Sequence, residues 1–350
     1  MKLSRRSLIA RGAAVATGFA ATRVFRPRSV RAQTGEVNLY SSRHYNTDDE
    51  LYETFTELTG IRVNLLEGNA DELLVRLENE GATSPADVFM TVDAGMLWRA
   101  DQAEVFAPIS STVLTSNIPE NLRHPQGKWF GFSKRARVIM YNKAAVDPSA
   151  LSTYEALADP EWRGKILIRS SGNIYNQSLV ASLIEAHGVE ETEAWARGLV
   201  RNFARPPEGN DRAQIEAAAA GLGDLAIANT YYLPRYLEAE EAEKRDVFDK
   251  IGVFFPNQEG RGTHVNISGA GVVASAPNPS AAQQFLEYLS GTEAQSFFAK
   301  GNNEYPVVEG AELASVVEGF GTFTDDSVNV AAYGENQAEA VQLMDRAGWV

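Results

Sequence analysis

His44-Tyr45, Tyr175 and Tyr231-Tyr232 are the residues of this sequence whose types and spacing could do metal chemistry. A phenol ionises at about pH 10, so it binds a metal as phenolate only where a hard, strongly charged cation drives the proton off. Ferric iron suits oxygen anions in this way, whereas zinc and copper sites more often carry Cys, Met or several His. Adjacent tyrosines are commonly structural, however. Neighbours on a helix point about 100° apart, so Tyr231 and Tyr232 can reach one ion only if the backbone turns sharply there. Pro234 marks irregularity close by.

The elements that must position these residues read as α/β. Glu36–Tyr40 alternates at period two as a strand, and Thr47-Asp48-Asp49-Glu50 has capping-box spacing. A helical stripe through Leu51, Tyr52, Phe55 and Leu58 ends at Gly60; Ile61–Leu65 is a strand, Asp71–Glu78 a helix and Asp87–Thr91 a strand. This βαβαβ opening predicts a largely parallel sheet. Trp98–Phe106, Ser110–Leu114 and Thr153–Leu157 read as short helices, and Gly127–Phe132 as a turn entering a strand, followed by an extended segment, Arg135–Tyr141. Ile166–Ile168, Asp224–Ala228, Val253–Phe255 and Gly269–Ala274 read as strands. Helices are expected at Asn176–Ala186, Glu190–Arg201, Arg212–Ala220, Ser280–Leu289, Thr292–Phe298 and Asn336–Ala347. His44-Tyr45, Tyr175 and Tyr231-Tyr232 then all follow strands, where open α/β sheets bind ligands.

Residues 1–32 hold eight basic side chains and no acidic one, an interrupted apolar run over Leu8–Ala21, and a small-residue exit at Val30-Arg31-Ala32. That is a secretory signal pattern. Ser4-Arg5-Arg6-Ser7-Leu8-Ile9 looks like the twin-arginine type, which implies export to the periplasm in the folded state. No stretch is long and apolar enough to span a bilayer stably. Without the leader, 24 basic residues face 46 acidic ones, a net −22 that repels nucleic acid and anionic lipid. The chain has no Cys, which excludes thiolate metal sites, Fe–S clusters and cysteine nucleophiles. The roughly 318 residues that follow the leader predict two domains.

Short stretches spread along the chain carry a family resemblance: Val37 to Tyr45, Ser84-Pro85-Ala86-Asp87-Val88-Phe89, Arg135-Ala136-Arg137-Val138, Trp162-Arg163-Gly164-Lys165, Asn229-Thr230-Tyr231-Tyr232, Ser268-Gly269-Ala270-Gly271-Val272 and Asn303-Glu304-Tyr305-Pro306. The sequence resembles the periplasmic ferric-binding proteins, close to the cyanobacterial-type branch that uses one histidine and four tyrosines. The resemblance implies metal contact by His44, Tyr45, Tyr175, Tyr231 and Tyr232, and the type II periplasmic binding-protein fold of two α/β lobes around a hinged interlobe cleft. It further implies lobes built from residues 36–134 with 265–308 and from 135–264 with 309–350, and a monomer that hands iron to an ABC transporter permease in the inner membrane. One departure is Met90-Thr91-Val92-Asp93, where the better-known branch often has a ligating Glu. Asp93 is shorter, so it is read as a helix cap or supporting residue sooner than as a ligand.

Four phenolates and Fe³⁺ would leave −1 with His44 neutral, and a buried excess charge is unfavourable. Arg135, expected near the hinge, is the first candidate to balance it and Arg43 the second. Fe²⁺ would require at least one tyrosine to keep its proton. The remaining histidines read as a solvated turn (His124), a helix C-terminus (His187) and a strand start (His264). The alternative function is a receptor for a small anion or organic solute, with Arg43, Arg135 and Arg137 as hooks. No catalytic constellation is legible, and a tyrosinate-iron oxygenase would need an open coordination position that these donors largely fill.

Overall fold

Val37, Leu39 and Phe55, the apolar residues of the opening strand and helix, are fully buried, as their periodicities require. The computed structural model describes residues 35–43, 47–238 and 240–350; the leader, His44 and Tyr45 lie outside the described residues. The chain runs β1 (Gly35–Ser41), α1 (Asp48–Thr59), β2 (Ile61–Glu67), α2 (Ala70–Glu80), β3 (Val88–Thr91), α3 (Ala94–Gln102), α4 (Thr112–Asn117) and β4 (Phe130–Asn142). There follow β5 (Ile166–Leu167), α5 (Ile174–His187), α6 (Val189–Arg201), α7 (Asp211–Ala219), β6 (Leu225–Asn229), α8 (Ala242–Lys250) and β7 (Ile251–Phe254). The last third holds β8 (Val265–Val272), α9 (Pro279–Leu289), α10 (Thr292–Asn302), α11 (Ser315–Glu318), α12 (Ala331–Glu335) and α13 (Gln337–Ala347).

The sheet is mixed, not largely parallel. Its order is β2-β1-β3-β8-β4-β6-β5, with β7 also paired to β4. β1 is parallel to β2 and to β3, but β8 lies antiparallel between β3 and β4. β8 arrives late in the chain, so the βαβαβ start gave no sign of it. The strand entered near Phe132 and the extended segment Arg135–Tyr141 that continues it form one thirteen-residue strand, β4. Its first part pairs with β8 and its last with β6 and β7, so it belongs to both halves of the sheet.

A second segment crosses beside it. The Arg137 amide donates to the His264 carbonyl at 3.0 Å. The buried Tyr154 hydroxyl donates to the Arg137 carbonyl and accepts from the His264 amide.

Local departures have local causes. Thr47 makes no side-chain cap; its hydroxyl meets Asn302 instead. Gly60 ends α1 with a left-handed φ of 75°, as expected. α3 begins four residues before Trp98 because Asp93 caps it, accepting from the Gly95 amide at 2.8 Å. The Thr153–Leu157 region is only a 3₁₀ turn, Glu155–Ala158. α8 had no apolar stripe to announce it: Ala-Glu-Lys-Arg-Asp-Val-Phe-Asp-Lys is mostly charged.

α12 packs on α3 through Gly334, where a Cβ would fall 2.3 Å from Trp98 Cβ. Gly334→Ala should therefore lower stability by about 1–3 kcal/mol through overpacking, seen as an earlier midpoint in urea unfolding of the iron-free protein.

Candidate functional site

Register decides where the strands point. Val88 lies opposite Val272 and Thr91 opposite Gly269, so β3, and β1 parallel to it, run toward the start of β8. That start, Val265, pairs with Ala136. On the other side Leu225 faces Tyr141 and Asn229 faces Arg137, so β6, and β5 parallel to it, run toward the same place. Carboxyl ends from both halves of the sheet thus converge on the Arg135–Arg137 stretch of β4. Loops at such ends are where α/β proteins place their ligands.

From the β5–β6 side come three tyrosines. Tyr175 is the second residue of α5, whose cap Asn173 accepts its amide at 3.2 Å. Tyr231 and Tyr232 lie in a 3₁₀ turn, Thr230–Tyr232, directly after β6, and Pro234 opens another such turn. This is the sharp backbone turn that adjacent phenols need. Their rings lie 4.3 Å apart at 35°, and the Tyr175 and Tyr231 hydroxyls are 3.2 Å apart. Tyr231 is buried, while Tyr175 and Tyr232 are partly exposed. Burial, then the neighbouring Tyr175, pushes the Tyr232 phenol up to about 12. It is a neutral phenol at neutral pH, and ionises only for a cation that outcompetes the proton.

Guanidinium groups surround the cluster. Arg137 and Arg169 approach the Tyr175 ring at 5.9 and 5.5 Å, Arg235 approaches Tyr231 and Tyr232 at 5.2 and 5.8 Å, and Arg212 approaches Tyr232 at 6.0 Å. Arg137 is buried and donates to Asp211 at 3.1 Å, Asn229 at 3.3 Å, Asn176 at 2.7 Å and the Ile227 carbonyl at 3.2 Å. Sequence reading missed Arg169, Asp211 and Asn176. Asp211 stood just before an expected helix, Arg212–Ala220, and nothing local marked it as an ion-pair partner.

On the β1–β3 side, Ser42 bonds the Met90 carbonyl and Thr91 hydroxyl, tying the end of β1 to β3. Arg43 is held by Asp48 at 2.9 Å, Glu304 at 3.2 Å and Ser133 at 3.1 Å. Two carboxylates beside it leave no surplus positive charge, which counts against the balancing role expected of Arg43. Asp93 is the cap of α3 and accepts from Asn266 at 2.8 Å. Burial raises its pKa and the nearby Arg135 opposes that. Arg135 itself is buried and donates to the Val92 carbonyl and to Ser268. Arg43, Arg135 and Arg137 are therefore all engaged by the protein's own groups.

His124 is not a solvated turn: it is largely buried beside Asp101 at 3.2 Å and edge-on to Trp129. His187 pairs with Glu155 at 2.9 Å. His264 is buried against Tyr333; burial, and then the nearby Arg261, Arg137 and Arg135, holds its pKa well below the usual imidazole range. Among the described residues no three His, Cys, Asp or Glu gather as a metal site.

Residues 83–320 match the family model described as "Bacterial extracellular solute-binding protein". The chain is 58% identical over 314 residues to Iron uptake protein A1 of Synechocystis, covering 90% of this chain and 87% of that protein. The chain belongs to the periplasmic ferric-binding family. Within this family it is 31% identical to the Fe(3+)-binding periplasmic protein of Serratia marcescens, over 93% of each chain. A solved Trichodesmium family member, in complex with iron and citrate ligands, superposes with a TM-score of 0.88 at 63% identity, covering 90% of this chain and all of that one. The fold is thus the two-lobed type II binding-protein fold of this ferric-binding family.

Arg137→Met should destabilise the iron-free protein by about 3 kcal/mol, because it strands part of the buried Asp211 charge. Denaturant unfolding measures it, with Arg62→Met, whose partner Glu36 is exposed, expected to change little.

Proposed function

We propose that the protein captures Fe³⁺ in the interlobe cleft, through His44, Tyr45, Tyr175, Tyr231 and Tyr232, and delivers it to an ABC transporter permease in the inner membrane. The observation that carries this reading is the meeting of three phenols, Tyr175, Tyr231 and Tyr232, at the carboxyl ends of β5 and β6. Phenolates are hard, charged donors that match Fe³⁺. His44 and Tyr45 would join from the loop after β1, so that closing the lobes completes the shell. The proposed lobes, residues 36–134 with 265–308 and 135–264 with 309–350, draw support from β4 changing partners between Ala136 and Arg137, two residues past the first boundary. The twin-arginine leader brings the folded chain to the periplasm, where it works as a monomer and catalyses nothing. Fe²⁺ would bind with one phenol still protonated.

The rival reading, a receptor for a small anion, asks Arg43, Arg135 and Arg137 to bind solute. All three already hold protein partners, so the geometry favours the cation.

Protein isolated without added metal and exposed to ferric citrate should turn red-brown, from phenolate-to-iron charge transfer, with one iron per chain by metal analysis. A colourless, iron-free product would sink the proposal. Tyr175→Phe, Tyr231→Phe and Tyr232→Phe should each weaken ferric binding and shift or bleach the band while thermal melts of the iron-free forms stay near wild type. Wild-type affinity in all three would remove these residues from the ligand set.

Binding an ion through neutral phenols releases protons, so ferric affinity should fall as pH falls. Tyr232, pushed up to about 12, is protonated across the whole working range, and each phenolate formed adds up to about tenfold per pH unit. Iron release followed in stopped flow from neutral to mildly acid pH should accelerate; a flat profile contradicts proton competition.

A further inference from the structure

We propose that the buried Arg137–Asp211–Arg169 cluster supplies the positive charge that the loaded site requires, with Arg169 as the residue that electrostatically positions Tyr175. This rests on the iron-binding reading above. Four phenolates and a ferric ion sum to −1, and inside a closed cleft that excess needs a cation that water does not screen.

Comparison of the available cations singles this cluster out. Arg43 sits between two carboxylates, Asp48 and Glu304. Arg135 faces Asp93, whose carboxyl it favours in the charged form. Arg212 and Arg235 line an open cavity of about 380 Å³ together with Glu216, Glu238 and Lys244, where solvent and counter-charges weaken them. Behind Tyr175 the balance differs. Arg137 and Arg169 share one carboxylate, Asp211, at 3.1 and 3.5 Å. Arg137 and Asp211 are fully buried and Arg169 mostly so, which leaves a net +1 in a region shielded from water.

The two arginines are not equivalent. Arg137 is fixed by four hydrogen-bonding partners. Arg169 reaches Asp211 only at 3.5 Å, and its buried Nε, like that of Arg137, has no hydrogen-bond partner. Its guanidinium is also the nearer of the two to the Tyr175 ring, 5.5 against 5.9 Å. Asp211 in turn accepts the Asn229 amide at 3.0 Å, fixing the residue from which Thr230-Tyr231-Tyr232 turns. One carboxylate thus registers Tyr175 against the tyrosine pair while its two arginines set the local potential.

The experiment is competition for Fe³⁺ against citrate at fixed ionic strength, with visible spectra, for wild type, Arg169→Met, Arg169→Lys and Asp211→Asn. Arg169→Met should lose roughly ten- to a hundredfold in ferric affinity, with the charge-transfer band moved to longer wavelength because the phenolate has lost a stabilising cation. Arg169→Lys should restore most of both. Asp211→Asn, if it folds, should move the band the opposite way. Arg169→Met with wild-type affinity and band would overturn the proposal. So would a loss of affinity with an unmoved band that Lys fails to rescue, since that pattern belongs to lost packing. If wild type gives no ferric band, the iron reading itself fails, a result distinct from either of these.

Discussion

Everything at the cleft depends on the opposed polarity of strands meeting along β4. β1 and β3 run from one half and β5 and β6 from the other, all toward the Arg135–Arg137 stretch, and β6 ends opposite Arg137 itself. β8 makes this arrangement work. By inserting antiparallel between β3 and β4, it lets the first lobe's parallel strands point along β4 while β6 points against it. A purely parallel sheet could not bring two sets of carboxyl ends face to face, and the tyrosines would have nothing opposite them.

Burial of charge imposes the second constraint. Ser133, Arg135 and Arg137 occupy alternate positions of β4, hence one face of it, and all are buried. Each arginine in that row, and Arg43 beside Ser133, is satisfied by a different set of groups from more than one element. Isolated guanidinium burial would be strongly unfavourable. The networks make β4 expensive to shift and hold the phenols in a fixed electrostatic setting. The phenols differ in kind: the Tyr175 and Tyr231 hydroxyls meet at 3.2 Å, an all-oxygen cluster to which a cation can bind.

Much of this was legible in the sequence because it is local. Period-two and helical patterns located most elements, and Tyr175, Tyr231 and Tyr232 were singled out by following strands. Asp93, weighed as a cap or supporting residue, does cap α3, although the helix was expected only from Trp98. The rest depends on contacts distant in sequence. Arg43 meets Glu304 across 261 positions and Arg137 meets Asp211 across 74, and neither pairing leaves a periodic trace. The place of β8 and the burial of His124 likewise follow from tertiary packing. α8 escaped notice because its residues have little apolar surface to bury, so its helical form rests on its neighbours.

Tyr154 turns the two crossing segments into a single mechanical element. Its hydroxyl bridges the Arg137 carbonyl and the His264 amide, so neither segment can slide along the other without breaking both bonds. Relative motion of the lobes is left with bending and twisting of the joined ribbon, in the manner of a leaf spring clamped at its middle.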